Sequence, residues 1–417
     1  MLLCGIGDLE PGMKVGATVI HPRRPELNLL RPGVDLDAEM IRRLPRLGVS
    51  ELWVHHDATS DLDAAVAPKL SQMQAAVYLQ LKSDIAQLAR VTVSTAQIQA
   101  YRRTISELVL ELTVSSKYAR LSRQLLDDPG DLFTHSTNVA FLSTLVGLEL
   151  QTYVISQRPR LPRQHARDVV SLGLGAMLHD IGKTGMSLEA RRHHEIHPDP
   201  DDSDTLDAYY RHVALGYDML DGKGSPATAR HVVLHHHQRF DGSGWTDMSG
   251  SVKGRGRGPQ NGMDIHIFNR IVAAANVLDN LLNRPGDRYP TVAALREFVS
   301  SRFEGWFDPV VRDLVVRRIP PFPIGSLVRL SDNRQAVVVT PNFGQPCYPA
   351  VRILEGHCRA DDDQLSIVDL NVVPGLHIVE CAGQRVEQFL FELGNLRPIE
   401  AGGEPGPPEG NRWARAS

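Results

Sequence analysis

The stretch Met177-Leu178-His179-Asp180-Ile181-Gly182-Lys183 decides how this chain is read. It closes an apolar run, Leu172 to Leu178, so a buried helix delivers a polar pair at its end. Adjacent residues on a helix project about 100° apart, so His179 and Asp180 reach a common point, where Asp180 can also bridge two ions. Lys183 follows one helical turn after His179, at i+4, on the same face. A lone His-Asp pair also occurs as a plain helix end, so the surroundings decide.

Those surroundings are rich in imidazole. His135 precedes the pair; His212 follows in RHVALGYDML, and His236 and His237 follow in LHHHQRFDGSGW. Imidazole and carboxylate together suit Fe, Mn, Zn, Ni or Co rather than Ca or Mg. Five histidines and one aspartate exceed what one tetrahedral zinc can use. Two transition-metal ions, Fe, Mn or a similar divalent pair, are the natural reading. Two metals about 3.5–4 Å apart can clamp a phosphodiester and activate a nucleophile at neutral pH. Lys183 would then hold a phosphate oxygen or protonate the departing alkoxide. A third metal is not expected: Asp131, just before a helix, reads as a cap.

Around these motifs the pattern is helical. Val139, Leu142, Val146 and Leu150 repeat at helical spacing after His135. Two polar insertions, acidic at 199–207 and Gly-rich and basic at 249–262, read as surface loops.

Five stretches stand in the order found in one known family: HSTNVA at 135–140, MLHDIGK at 177–183, HVALGYDML at 212–220, HHHQRFDGSG at 235–244 and NRIVAAANVLDNL at 269–281. The block resembles the HD-GYP family, bacterial phosphodiesterases of cyclic di-GMP within the HD superfamily. The resemblance implies that His135, His179, Asp180, His212, His236 and His237 are metal ligands and that Lys183 acts with Asp180 in catalysis. It implies that Asp241, Gly242 and Gly244 open a substrate-binding loop, and that Arg284 or Arg288 meets phosphate. The implied activity is metal-dependent hydrolysis of cyclic di-GMP to pGpG or GMP in bacterial signalling. Three positions depart from the family pattern. Its HHE is His236-His237-Gln238, its GYP is Gly244-Trp245-Thr246, and its aspartate ligand in the last helix is Asn276. Trp245 keeps an aromatic face that can stack on guanine. Asn276 offers a neutral oxygen, a weaker ligand, unless Asp279 supplies the charge from the same face. The alternative is therefore a degenerate domain that senses cyclic di-GMP or binds a protein without turnover.

The remaining sequence gives a mainly α chain: an HD-type all-helical phosphohydrolase core with small β-containing modules at either side. Short apolar runs between turn formers mark a β-containing module at 1–61, with a helix near 37–47 and a strand at 51–55. A helical connector spans 62–129, with helices over 64–90 and 96–126 and Ser94 as an N-cap. Its apolar stripes suit a homodimer, a signalling partner, or burial within the chain. The HD-GYP-like domain covers 130–318. Pro320-Pro321-Phe322-Pro323 then opens a small β barrel-like domain at 319–400, with strands at 326–330, 336–340, 350–354 and 376–380, and the Gly/Pro-rich 401–417 is expected to be a disordered tail.

Composition narrows the partners. With 42% hydrophobic residues in 417, the chain can bury several cores. A net charge of −4 gives no basic field for a nucleic-acid polymer. No apolar run approaches the roughly 18 residues of a membrane span, and the four cysteines form no C-x-x-C pair, so a reduced, cytoplasmic protein is expected.

Overall fold

The computed structural model describes residues 1–22, 24–65, 68–86, 93–114, 131–187, 203–220, 224–245, 260–284, 289–354 and 367–394. The tail at 401–417, the basic insertion through residue 259, and Arg288 lie outside these residues.

Helices carry the centre of the chain. α1 (Ala38–Arg43) belongs to the N-terminal part; α2 (Pro68–Ala86) and α3 (Thr95–Val114) form the connector. The core consists of α4 (Leu132–Glu149), α5 (Gln151–Ser156), α6 (Arg163–Ala166), α7 (Val169–Leu178), α8 (Ser203–Leu220), α9 (Ala227–His235), α10 (Ile267–Leu282), α11 (Thr291–Phe298) and α12 (Pro309–Arg318). The starts of α4, α7 and α12 follow from side-chain caps that satisfy orphan N–H groups. Asp131 accepts from Thr134 N at 2.8 Å, Asp168 from Ser171 N at 3.0 Å and Asp308 from Val310 N at 2.9 Å. Asp131 is thus a cap, as its position suggests.

α7 is almost wholly buried, packed between α4, α9 and α3. An apolar helix with no polar face needs such a setting. α10 lies against α4 and is pinned at its start by Arg270, which pairs with buried Asp308 and reaches Gln157 Oε1 at 2.8 Å. The connector joins the same core. Ile98, Tyr101, Ile105, Leu108 and Leu112 of α3 are buried against the core helices, so this stripe is covered inside the chain and is no dimer face. Ser94 and Gln97 form a reciprocal cap, with Gln97 N donating to Ser94 Oγ at 3.2 Å and Ser94 N donating to Gln97 Oε1 at 2.9 Å. Among the described residues no helix is long and apolar enough to cross a membrane.

The strands lie at both sides. β1 (Leu2–Gly5) pairs antiparallel with β4 (Glu51–Val54), and β2 (Val19–His21) with β3 (Arg24–Leu30). β5 (Leu327–Leu330), β6 (Gln335–Thr340), β7 (Ala350–Ile353), β8 (Ile367–Asp369), β9 (Ile378–Cys381) and β10 (Gln384–Arg385) make one antiparallel sheet in the order β10-β9-β5-β6-β7-β8. In place of the expected barrel this sheet is open, since β8 and β10 do not pair among the described residues.

The two β regions also meet. Leu2, Leu52 and Val54 share a hydrophobic cluster with Ile324, Leu327 and Val337. Leu3 N donates to Gly325 O at 2.7 Å, and Arg352 clamps Asp61 through two 2.8 Å hydrogen bonds. A Cβ on Gly5 would lie 2.1 Å from Ala382 O, so only glycine permits the two backbones to approach this closely.

Candidate metal centre

α7 ends where its sequence turns polar. His179 caps the helix, and Asp180 leaves helical geometry at φ −102° and ψ 10°. A tight 3-10 turn, Ile181–Gly185, follows. Lys183 is therefore not on a continuing α-helix with His179; the turn places it against Asp180 instead, Nζ to Oδ2 at 2.6 Å. Gly182 makes this turn possible, because a Cβ there would sit 1.9 Å from the carbonyl oxygen of His212 on α8.

Three histidines are oriented by one local device. His179 Nδ1 lies 2.7 Å from Ala176 O, His212 Nδ1 2.6 Å from Tyr209 O, and His236 Nδ1 3.0 Å from Val233 O. A carbonyl only accepts, so each Nδ1–H donates to the residue three positions back. In the neutral ring this leaves the lone pair on Nε2. His135 is held differently: its Nδ1 donates to Asp279 Oδ2 at 2.7 Å. Asp279 in turn accepts from Asn138 Nδ2 at 2.8 Å and Asn283 Nδ2 at 2.6 Å.

The Nε2 atoms converge. His135 and His179 approach to 3.2 Å, His212 and His236 to 3.4 Å, and His237 and His212 to 3.2 Å. Asp180 stands between them with its two oxygens divided. Oδ1 lies 3.2 Å from His212 Nε2 and 3.6 Å from His236 Nε2, while Oδ2 lies 3.6 Å from His135 Nε2 and 3.5 Å from His179 Nε2. The donor atoms form two groups, each within 4.8 Å: Asp180, His212, His236 and His237, and His135, His179 and Asp180.

Electrostatics favour a cation here. Burial holds the imidazoles of His179, His212 and His237 below their ordinary pKa, against the pull of Asp180, so they are neutral at physiological pH. Burial alone would raise the Asp180 carboxyl, but the Lys183 ammonium and the neighbouring imidazoles hold it well below the usual carboxylate range. Burial would likewise lower Lys183, yet Asp180 and Tyr209 raise it above its ordinary value. Asp180 Oδ1 is buried and receives no hydrogen bond. Lone pairs facing one another in a dry site, with an unsatisfied carboxylate oxygen, fit transition-metal ions.

Asn276 is buried, and its Oδ1 accepts from Asn280 Nδ2 at 3.2 Å. Gln238, in place of the family's glutamate, is buried with neither amide atom hydrogen-bonded. Asp241 is exposed and folds its own loop, accepting from Ser243 N at 2.8 Å. Gly242 takes φ +83°, and a Cβ on Gly244 would lie 2.2 Å from His237 O, so the loop packs directly against His237. Trp245 stacks on Tyr210, centroids 5.1 Å apart and planes 13° apart, and Tyr210 meets His237 edge-on at 5.0 Å. Arg284 pairs with Glu297 and lies over the Tyr289 ring at 4.5 Å.

Residues 132–281 match the HD domain family model. The chain is 27% identical over 353 residues to the cyclic di-GMP phosphodiesterase PA4108 of Pseudomonas aeruginosa, covering 78% of each chain. It is 30% identical over 153 residues to the cyclic di-GMP phosphodiesterase response regulator RpfG of Xanthomonas campestris pv. campestris, covering 36% of each. Bd1817, an HDG"Y"P protein from Bdellovibrio bacteriovorus, aligns at a TM-score of 0.41 and 14% identity over 76% of this chain and 97% of that one. Residues 132–281 match an HD domain, and the relatives the chain resembles are HD-GYP cyclic di-GMP phosphodiesterases.

Proposed function

We propose that the chain is a metal-dependent phosphodiesterase that hydrolyses cyclic di-GMP to pGpG or GMP. The observation that carries this reading is the division of Asp180 between two groups of imidazoles, the arrangement expected of a carboxylate shared by two ions. His135 and His179 with Asp180 would hold one ion; His212, His236 and His237 with Asp180 would hold the other. Bound there, such ions supply Lewis acidity and activation of water. The protein's own part is to exclude bulk water, to fix the rings through their Nδ1–H bonds, and to present one cation, Lys183, to the phosphate. Water oxygen bonds to phosphorus, the P–O3′ bond breaks, and the ribose 3′-oxygen leaves as a hydroxyl. The charge of Lys183 counters the extra negative charge that builds on the phosphate oxygens.

A non-catalytic sensor of cyclic di-GMP is favoured by one observation, the neutral amide of Asn276, bonded to Asn280, where the family pattern has a carboxylate. One experiment separates the two. Protein reconstituted with Mn or Fe is assayed for binding and for turnover of cyclic di-GMP, with His179→Ala/Asp180→Ala as the metal-free control. Turnover by wild type alone supports the hydrolase; binding without turnover supports the sensor; no metal uptake sinks the hydrolase.

A further inference from the structure

Tyr209 of α8 touches the site in three ways. Its carbonyl oxygen takes the Nδ1–H of His212 at 2.6 Å. Its ring lies 5.1 Å from the His212 ring and 5.9 Å from the His237 ring. Its hydroxyl oxygen accepts from Lys183 Nζ at 3.1 Å, with the ammonium 4.9 Å from the ring centroid. The residue is 3% exposed, so these contacts are made in a dry place where polar groups interact strongly.

We propose that Tyr209 is a positioning residue for Lys183, holding its ammonium in the site when Asp180 is engaged by cations. The proposal rests on the hydrolase reading above. The hydrogen-bond partners of Nζ are Asp180 Oδ2 and Tyr209 Oη. Both Asp180 oxygens face imidazole groups that would share cations with them. A carboxylate sharing its charge with two dications attracts a third positive group less, and the dications repel it. Lys183 is a flexible point charge on a four-carbon stem, so it needs an anchor that does not depend on Asp180. Tyr209 offers a neutral oxygen and the negative face of a ring, both suited to an ammonium. Nothing in the HDIGK motif reveals this, because Tyr209 lies 26 residues from Lys183.

Tyr209→Phe tests it, because the substitution keeps the ring and the carbonyl that holds His212 and removes only the hydroxyl. Two measurements are made on metal-loaded wild type and variant. The first is steady-state turnover of cyclic di-GMP with parallel metal analysis. The second is the rate at which a water-soluble acylating reagent labels Lys183, read by peptide mass spectrometry with Lys183→Ala as blank. We expect unchanged metal content, kcat lower by about tenfold as for loss of one hydrogen bond to a charged group, and Lys183 labelled several-fold faster. Labelling at the wild-type rate overturns the proposal, as does loss of metal in the variant, which would mean that Tyr209 serves only His212. If wild type shows no turnover, the hydrolase reading fails by itself, and the labelling rates still decide the role of Tyr209.

Discussion

Asp279 Oδ2 lies 2.7 Å from His135 Nδ1, so a carboxylate on α10 sets the ring of a histidine on α4. Asn138 and Asn283 fix that carboxylate in turn. Such an outer partner orients a ligand and raises its basicity.

Asp279→Asn should therefore loosen metal binding without removing any direct ligand. The expected loss in affinity is about 10–100-fold. Calorimetric titration with Mn would show it, with the group of His135, His179 and Asp180 affected. Unchanged affinity would mean that Asp279 only ties α10 to α4.

Lys183→Ala separates two roles of the lysine. Without metal, Asp180 loses its ammonium partner while 1% exposed, and stranding a buried charge costs about 3–5 kcal/mol. The metal-free variant should melt well below wild type, and metal should restore most of the difference. Turnover should stay low even when metal is bound. A metal-free variant as stable as wild type would show that Asp180 has no need of the pair.

Asn276→Asp places a carboxylate where the family pattern has one. Metal affinity and turnover should rise together, because a negative ligand adds charge that the amide lacks. If neither moves, the bond to Asn280 is the whole role of the position.

Trp245→Ala removes a ring already stacked on Tyr210. If its other face takes guanine, affinity for cyclic di-GMP should fall by about 1–3 kcal/mol, the range for base–aromatic contacts. Trp245→Phe should retain part of both. Loss of metal in the alanine variant with ligand affinity intact would place Trp245 with Tyr210 and His237 as support for the metal site.

His266 gives a pH dependence. Burial above all, with the positive charges of His231, Arg158 and Arg270, pushes its pKa down from 6.5 to about 3. Folded protein keeps this ring neutral where the unfolded chain would protonate it. Its stabilising share is complete above pH 6.5 and declines as pH falls toward about 3, by at most about 1.4 kcal/mol per pH unit. His266 Nδ1 also caps α10, accepting from Phe268 N at 3.2 Å. His266→Asn retains a capping acceptor and removes the titration, so urea midpoints should depend less steeply on pH between 4 and 6.5. Parallel curves for variant and wild type would rule the effect out.

The sequence was most legible where chemistry is local. The apolar run before His179 marks α7, and the histidines singled out by sequence, His135, His179, His212, His236 and His237, are the ones the fold gathers around Asp180. Their orientation was not legible: the carbonyls that hold the Nδ1–H of His179, His212 and His236 are backbone atoms three residues back. The place of Lys183 was not. Helical spacing assumes a helix that continues, and α7 stops at Leu178 because Gly182 must pass close to α8. Asp279 stood out only as a stand-in for Asn276, for its bond to His135 spans 144 residues. In the C-terminal sheet β5, β6, β7 and β9 lie within about two residues of their expected places and β8 and β10 were missed, whereas the merger with the N-terminal strands depends on pairings such as Leu3 with Ser326 that no local pattern encodes.

That merger imposes an order of events on the ribosome. Leu2, Leu52 and Val54 are covered by Ile324, Leu327 and Val337, which are made much later. At about 5–20 residues per second, the delay is roughly 15–60 seconds. The helices between can close their own core during that interval, while β1 and β4 wait with apolar side chains uncovered. Nascent strands left open so long are targets for holding chaperones, and β1 and β4, made well before β5 and β6, are among the last to reach their native contacts.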